Sequence, residues 1–165
     1  MTTKTVAADV DPLSLERQVC FALAITNRAV QAVYRPLLEP LGLTHPQYLV
    51  MLAIWDNEKS SSPPLSMKQI AALLQMDSAT LSPMLKRLQA LGLITRLRSA
   101  TDERTMKVEL TAKGRTLRRR ALTIPPAVVE RLGVDLDKLE QLHDELVGIN
   151  AAALAAGALD AELDR

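Results

Sequence analysis

The sequence predicts a mainly α-helical chain with one small β-hairpin. Three observations predict it: apolar residues recur at helical spacing through most of the 165 residues, two helix-start signatures stand in the middle third, and one short stretch switches to strand-like alternation. Hydrophobic residues make up 48% of the chain, enough for a core, and the length suits one compact domain with helical extensions.

Residues 1–12 are polar, carry no cap and read as a flexible N-terminal arm. From Leu13 to about Leu38 good helix formers predict one long helix, broken near Pro36 and Pro40 and punctuated by Gly42. Its apolar positions, among them Leu15, Val19, Phe21, Leu23, Ile25, Val30, Val33 and Leu37, exceed a single stripe, so more than one neighbour should bury it. Cys20 then stands about two turns into the helix, where the positive helix end helps little. A second helix opens at Thr44, where Gln47 completes a capping box and Pro46 sits in the first turn, and runs to about Asn57. Ser66 and Gln69 repeat the box ahead of a short helix ending near Gln75. After only Met76 and Asp77 another helix begins, stopped by Gly92. Residues 94–99 and 105–111 read as two strands joined by the charged turn ATDER. Thr111 caps a helix to about Leu122, which Pro125 and Pro126 break. Leu136, Leu139, Leu142, Leu146, Ile149 and Ala153 mark a closing amphipathic helix.

Two short helices joined by a tight turn and followed at once by a basic hairpin are the ordered parts of a winged helix-turn-helix. At 100° per residue, with Leu81 at zero, Met84, Leu85, Leu88 and Leu91 gather between about 280° and 40°. Ser78, Ala79, Ser82, Pro83, Lys86, Arg87, Gln89 and Ala90 fall between about 60° and 240°, with Thr80 at the border near 260°. Short hydroxyls near the helix start suit base edges, and Lys86 and Arg87 suit phosphates, so this face fits a major groove. The hairpin adds Arg96, Arg98, Arg104 and Lys107, and an Arg at its tip suits the adjacent minor groove, with Asp102 holding that Arg in a fixed pose. Pro83 leaves two possibilities open: the helix kinks there, or Ser82 caps a helix that starts later with Pro83 as its first residue.

Charge distribution agrees. Residues 86–120 carry 11 basic and 3 acidic side chains, residues 121–165 carry 3 basic and 9 acidic, and the net charge of the whole chain is only +1. The four aromatics all lie in the first third, which speaks against a base-stacking platform and for a duplex partner. One cysteine and two distant histidines offer no metal-ligand spacing, and no cofactor is expected. With no apolar stretch long enough for a bilayer, a cytoplasmic protein without membrane contact is expected. Tyr48 and Trp55, seven apart on one helical face, read as core packing.

The segment SMKQIAALLQMDSATLSPMLKRLQALGLITRLRSATDERTMKVELTAKG resembles the winged helix-turn-helix of MarR-family transcriptional regulators, with DER followed by LTAKG as recognisable features. ERQVCFALAITNRAVQAVYRPLLEPLGLTHPQYLVMLAIW resembles the N-terminal part of that family's organic-hydroperoxide-sensing, one-cysteine repressors. The resemblance implies an intertwined helical homodimer, with 13–43 and 123–165 forming the dimerisation region and 44–122 the DNA-binding lobe, reading a pseudo-palindromic operator. It also implies that Cys20 is oxidised by organic hydroperoxide to a sulfenic acid, which a low-molecular-weight thiol can cap, and that the repressor then leaves its operator. Tyrosines of the partner subunit hydrogen-bond this sulfur in that group. Tyr34 matches one, His45 replaces a second, and Ala24 replaces a third. His45 can serve as donor and, if protonated, would favour the thiolate.

The expectation is therefore a non-enzymatic dimeric repressor. Its DNA contacts would come from Ser78, Thr80, Ser82, Lys86, Arg87, Arg96, Arg98, Asp102 and Arg104, and its sensor from Cys20, Tyr34 and His45. Two rivals stand beside it. The same fold would answer to a small apolar or phenolic ligand with Cys20 as packing, or Cys20 would turn over as a cysteine-dependent peroxidase.

Overall fold

The computed structural model describes residues 11–99 and 105–159. A 3-10 turn at Leu15–Arg17 leads into α1 (Val19–Leu38), and a second at Glu39–Leu41 leads into α2 (His45–Lys59). Then come β1 (Leu65–Ser66), α3 (Met67–Leu74), α4 (Ser78–Ala90), β2 (Ile94–Arg98), β3 (Met106–Leu110), α5 (Ala112–Ala121), α6 (Ile124–Leu132) and α7 (Leu136–Ala155). The three strands form an antiparallel sheet in the order β1-β3-β2.

Both expected capping boxes are formed. Thr44 accepts from the Gln47 N–H while the Gln47 side chain accepts from the Thr44 N–H, and Ser66 and Gln69 do the same at α3. Each box satisfies two otherwise orphaned backbone donors. Thr111 caps α5 through the Gly114 N–H, and its hydroxyl also reaches the carbonyls of Gly92 and Leu93. That cap therefore ties α5 to the turn between α4 and β2.

The core lies under the helix-turn-helix. Leu81, Leu85 and Leu88 of α4 are fully buried, and they share one core with Val50, Met51, Ile54 and Trp55 of α2, Ile70 of α3, Ile94 and Val108 of the hairpin and Leu117 of α5. Each such side chain contributes roughly 1.5–3 kcal/mol of transfer free energy. Tyr48 and Trp55 are core residues as expected, and the Trp55 indole N–H donates to the Gly114 carbonyl at 3.0 Å.

Four expectations are corrected. The first long helix does not start near Leu13: Gln18 is extended, its amide donates to the Pro12 carbonyl at 2.6 Å, and α1 begins at Val19. Cys20 therefore lies in the first turn of α1, beside the unpaired N–H groups and their partial positive charge, and not two turns in. Pro36 does not break α1, because it and Ala32, whose carbonyl loses its partner, both sit on the exposed side where water takes over. α5 ends at Ala121, close to the expected Leu122, but Pro125 and Pro126 lie beyond that end and open α6, since proline in a first turn forfeits no helical bond. The two-residue β1, too short for any sequence pattern, adds a third strand beside the hairpin.

Candidate nucleic-acid interface and thiol site

α4 is one helix from Ser78 to Ala90 with Pro83 inside it, so Ser82 does not cap a later start. Its cap is Asp77, whose carboxylate accepts the Thr80 N–H at 2.6 Å and the Thr80 hydroxyl at 2.8 Å. These bonds hold the Asp77 carboxyl below its usual range, and they commit the Thr80 hydroxyl proton to the helix start. In this arrangement Thr80 offers a duplex its hydroxyl oxygen as an acceptor. Pro83 and Ala79 both face solvent, so the freed Ala79 carbonyl is open to water.

Ser78, Lys86 and Arg87 are exposed and Ser82 is half-buried; Ser82, Lys86 and Arg87 stand on the side of α4 away from its buried leucines, while Ser78, in the first turn, borders the leucine face. The structure does not gather every basic group at the centre of that face. Arg87 lines a cleft of about 580 Å³ with Gln31 and Arg35 of α1 and with Thr44, His45 and Gln47 at the start of α2. Gln89, about 160° around α4 from Arg87, faces the wing instead.

In the wing, Ile94 pairs with Leu110, Arg96 with Val108 and Arg98 with Met106. Alternation therefore puts Arg96 and Arg98 on the same sheet face as the buried Ile94 and Val108, the face turned toward the helices. Leu97, 49% exposed, stands on the opposite face with its register partner Lys107. Arg96 does not splay outward: its Nε–H donates to Gln89 Oε1 at 2.6 Å. Sequence reasoning placed Gln89 on the outward face without giving it a role. The seven-residue spacing across the Gly92 turn was the available signal. Asp102 and Arg104 lie outside the described residues.

Cys20 is exposed on α1. Tyr34 and His45 meet edge to face at 4.9 Å between ring centroids, and Tyr34 lies 6.0 Å from Tyr48. Burial pushes the Tyr34 phenol up, which keeps it a hydrogen-bond donor, and pushes His45 down, which favours the neutral imidazole over the protonated donor expected as one possibility. Fourteen residues of helix separate Cys20 from Tyr34, about 21 Å along the axis. Within one chain the structure thus brings Tyr34 and His45 together and leaves Cys20 apart from both.

Among the described residues no group of side chains is arranged to hold a metal ion, and no helix is long and apolar enough to cross a membrane. The family model for the transcriptional regulator SarA/Rot matches residues 32–120, more than half of the chain. The chain is 41% identical over 133 residues to the organic hydroperoxide resistance transcriptional regulator of Bacillus subtilis, covering 79% of this chain and 87% of that protein. It is 42% identical over 139 residues to the HTH-type transcriptional regulator TtmR of Methylorubrum extorquens, covering 84% of this chain and 69% of that one. Among solved structures it is similar to reduced AbfR of Staphylococcus epidermidis bound to DNA, with a TM-score of 0.67 and 28% identity over 85% of this chain and 94% of that chain.

Proposed function

The chain belongs to the MarR-like SarA/Rot family of DNA-binding transcriptional regulators, and on that footing we propose that it is a homodimeric repressor released from a pseudo-palindromic operator when organic hydroperoxide oxidises Cys20. The observation that carries the DNA half is the exposed face of α4, with Ser78, Ser82 and Lys86 set on a helix that a packed core holds rigid beside an arginine-bearing wing. Ser78 and Ser82 read base edges, while Lys86, Arg87, Arg98 and Arg104 neutralise phosphates, with Asp102 orienting Arg104. It works in the cytoplasm, where the operator is.

Support for the dimer comes from the helices at the two ends. α7 buries none of its residues, yet Leu142, Leu146, Val147 and Ile149 are 38–53% exposed, and Leu23 and Ile25 of α1 are similarly bare. Charge on α7 keeps it soluble on one side only, so its leucine side calls for a second copy. Residues 13–43 and 123–165 form that dimerisation region around the lobe of 44–122.

The redox half is supported by the exposure of Cys20 in the first turn of α1 and by the similarity to a hydroperoxide resistance regulator. The Cys20 thiol gives up its proton, the thiolate attacks the terminal peroxide oxygen, the O–O bond breaks, and the leaving alkoxide takes up a proton to depart as the alcohol, leaving sulfenic acid on Cys20. A small thiol then condenses with it, forming the mixed disulfide and water. Tyr34 and His45 of the opposite subunit donate to the sulfur, since their own Cys20 is out of reach. Bulk added inside the dimer body rotates the long helices and moves the two α4 helices off the one-turn spacing of about 34 Å.

A second reading, release by a small phenolic ligand, is favoured by the cleft that joins Arg87 of α4 to α1 and α2. The DNA half is tested by fluorescence anisotropy on duplex from the protein's own upstream region across a salt series. Binding should weaken steeply with salt, and Lys86→Ala should lower the slope of log affinity against log salt by about 1. A salt-insensitive or absent interaction contradicts it.

A further inference from the structure

We propose that Gln89 is a positioning residue for DNA binding, holding the Arg96 guanidinium in the angle between α4 and the wing so that its terminal Nη groups face a duplex phosphate. The inference rests on the reading of α4 and the wing as a duplex-binding pair.

The geometry is specific. Gln89 stands in the last turn of α4 and Arg96 at the middle of β2, and the 2.6 Å bond from Nε to Oε1 spans the turn at Gly92, where φ is +72°. A guanidinium is planar, so fixing the direction of its Nε–H restricts the plane and with it the arc that the four Nη–H donors can sweep. An unrestrained arginine carries large rotamer entropy that it loses on meeting a phosphate, and a bond formed in the free protein removes part of that loss in advance. Arg96 starts on the sheet face turned toward the helices, and its bond to Gln89 fixes the direction of the guanidinium there.

The chemistry of the partner matters as much as its place. Glutamine accepts the bond through a neutral oxygen and leaves the arginine's full charge available for displacing counterions. A carboxylate at the same place would hold the guanidinium as firmly but would cancel that charge. Gln89 is itself exposed and outside the core, so its side chain can be altered without opening a cavity.

The test uses the full chain, reduced, on duplex from its own upstream region, with wild type, Gln89→Ala, Arg96→Ala, the double variant and Gln89→Glu measured across a salt series. Melting curves should coincide. Arg96→Ala should lower the salt slope by about 1. Gln89→Ala should weaken binding about three- to tenfold in the wild-type background and have no further effect in the Arg96→Ala background. Gln89→Glu, which keeps an acceptor, should nonetheless lower the salt slope as a charge loss does. Additive losses in the double variant, or full affinity in Gln89→Ala, would overturn the role of Gln89 while leaving the interface intact. Failure of the wild type to bind duplex with salt sensitivity would overturn the interface reading, and the role of Gln89 with it.

Discussion

The lobe from α2 to α5 and the two end helices are built to opposite rules. In the lobe every helix start is capped by a side chain, and α4 alone buries three leucines completely. In α7 no residue is buried and no side chain caps the start, although its leucines recur at the same helical spacing. Identical periodicity therefore has two outcomes, one buried within the chain and one left exposed, which the proposed dimer would cover. The lobe should hold its shape alone, while the end helices should depend on concentration.

The largest effect should come from emptying the lobe. Leu85→Ala removes a fully buried side chain from the centre of α4 and should cost about 3 kcal/mol in chemical denaturation. A loss under about 1 kcal/mol would mean that the lobe is far looser than its packing. Gly114→Ala attacks the same region by overpacking: an added Cβ would lie 2.2 Å from the Leu93 carbonyl oxygen, a backbone atom that cannot swing away. A loss of about 2 kcal/mol is expected, seen as a lower melting temperature and weaker protection of the Trp55 indole bonded to Gly114.

Changes in the end helices should sort differently. Leu146→Glu on α7 should raise the dimer dissociation constant at least tenfold in sedimentation, because a charge is placed on an apolar contact, while the helical signal of the lobe persists. Loss of folding in step with loss of dimer would erase the distinction between the two regions.

Acidification gives a smaller effect at the junction between them. His45 has its pKa lowered from 6.5 by burial, so the folded state takes up a proton less readily than the unfolded chain. Its contribution is present in full above the unfolded value and is lost as pH falls through the folded one. Wild type should thus lose more stability between pH 7 and 5 than His45→Gln does, and equal pH slopes would contradict this. The smallest effect is a gain: Gln75 ends α3 with φ +50°, and Gln75→Gly should stabilise the helix-turn-helix by about 0.5 kcal/mol in a thermal melt.

Most of the lobe was legible in the sequence because its signals are local. A hydroxyl with glutamine three residues on is sufficient to start a helix, and the leucines of α4 fall on one face whatever surrounds them. The start of α1 was not legible, because Leu13, Leu15 and Val19 continue the helical period while the Gln18 side chain, bonded to Pro12, breaks it. The two prolines of α6 were misread because proline ends one helix and begins another with equal ease. The candidate site divides in the same way. The exposed face of α4 follows from periodicity, but the Gln89–Arg96 bond and the meeting of Tyr34 with His45 depend on how elements pack. The proposed meeting of Cys20 with a second copy's Tyr34 and His45 would likewise lie beyond any pattern along one chain.

The most direct test of the account compares reduced wild type with Cys20→Ser on the same duplex, before and after equimolar cumene hydroperoxide with a small thiol. Wild type should release the DNA on oxidation and return on reduction, while Cys20→Ser stays bound throughout. Release of both proteins, or of neither, would contradict a switch built on Cys20.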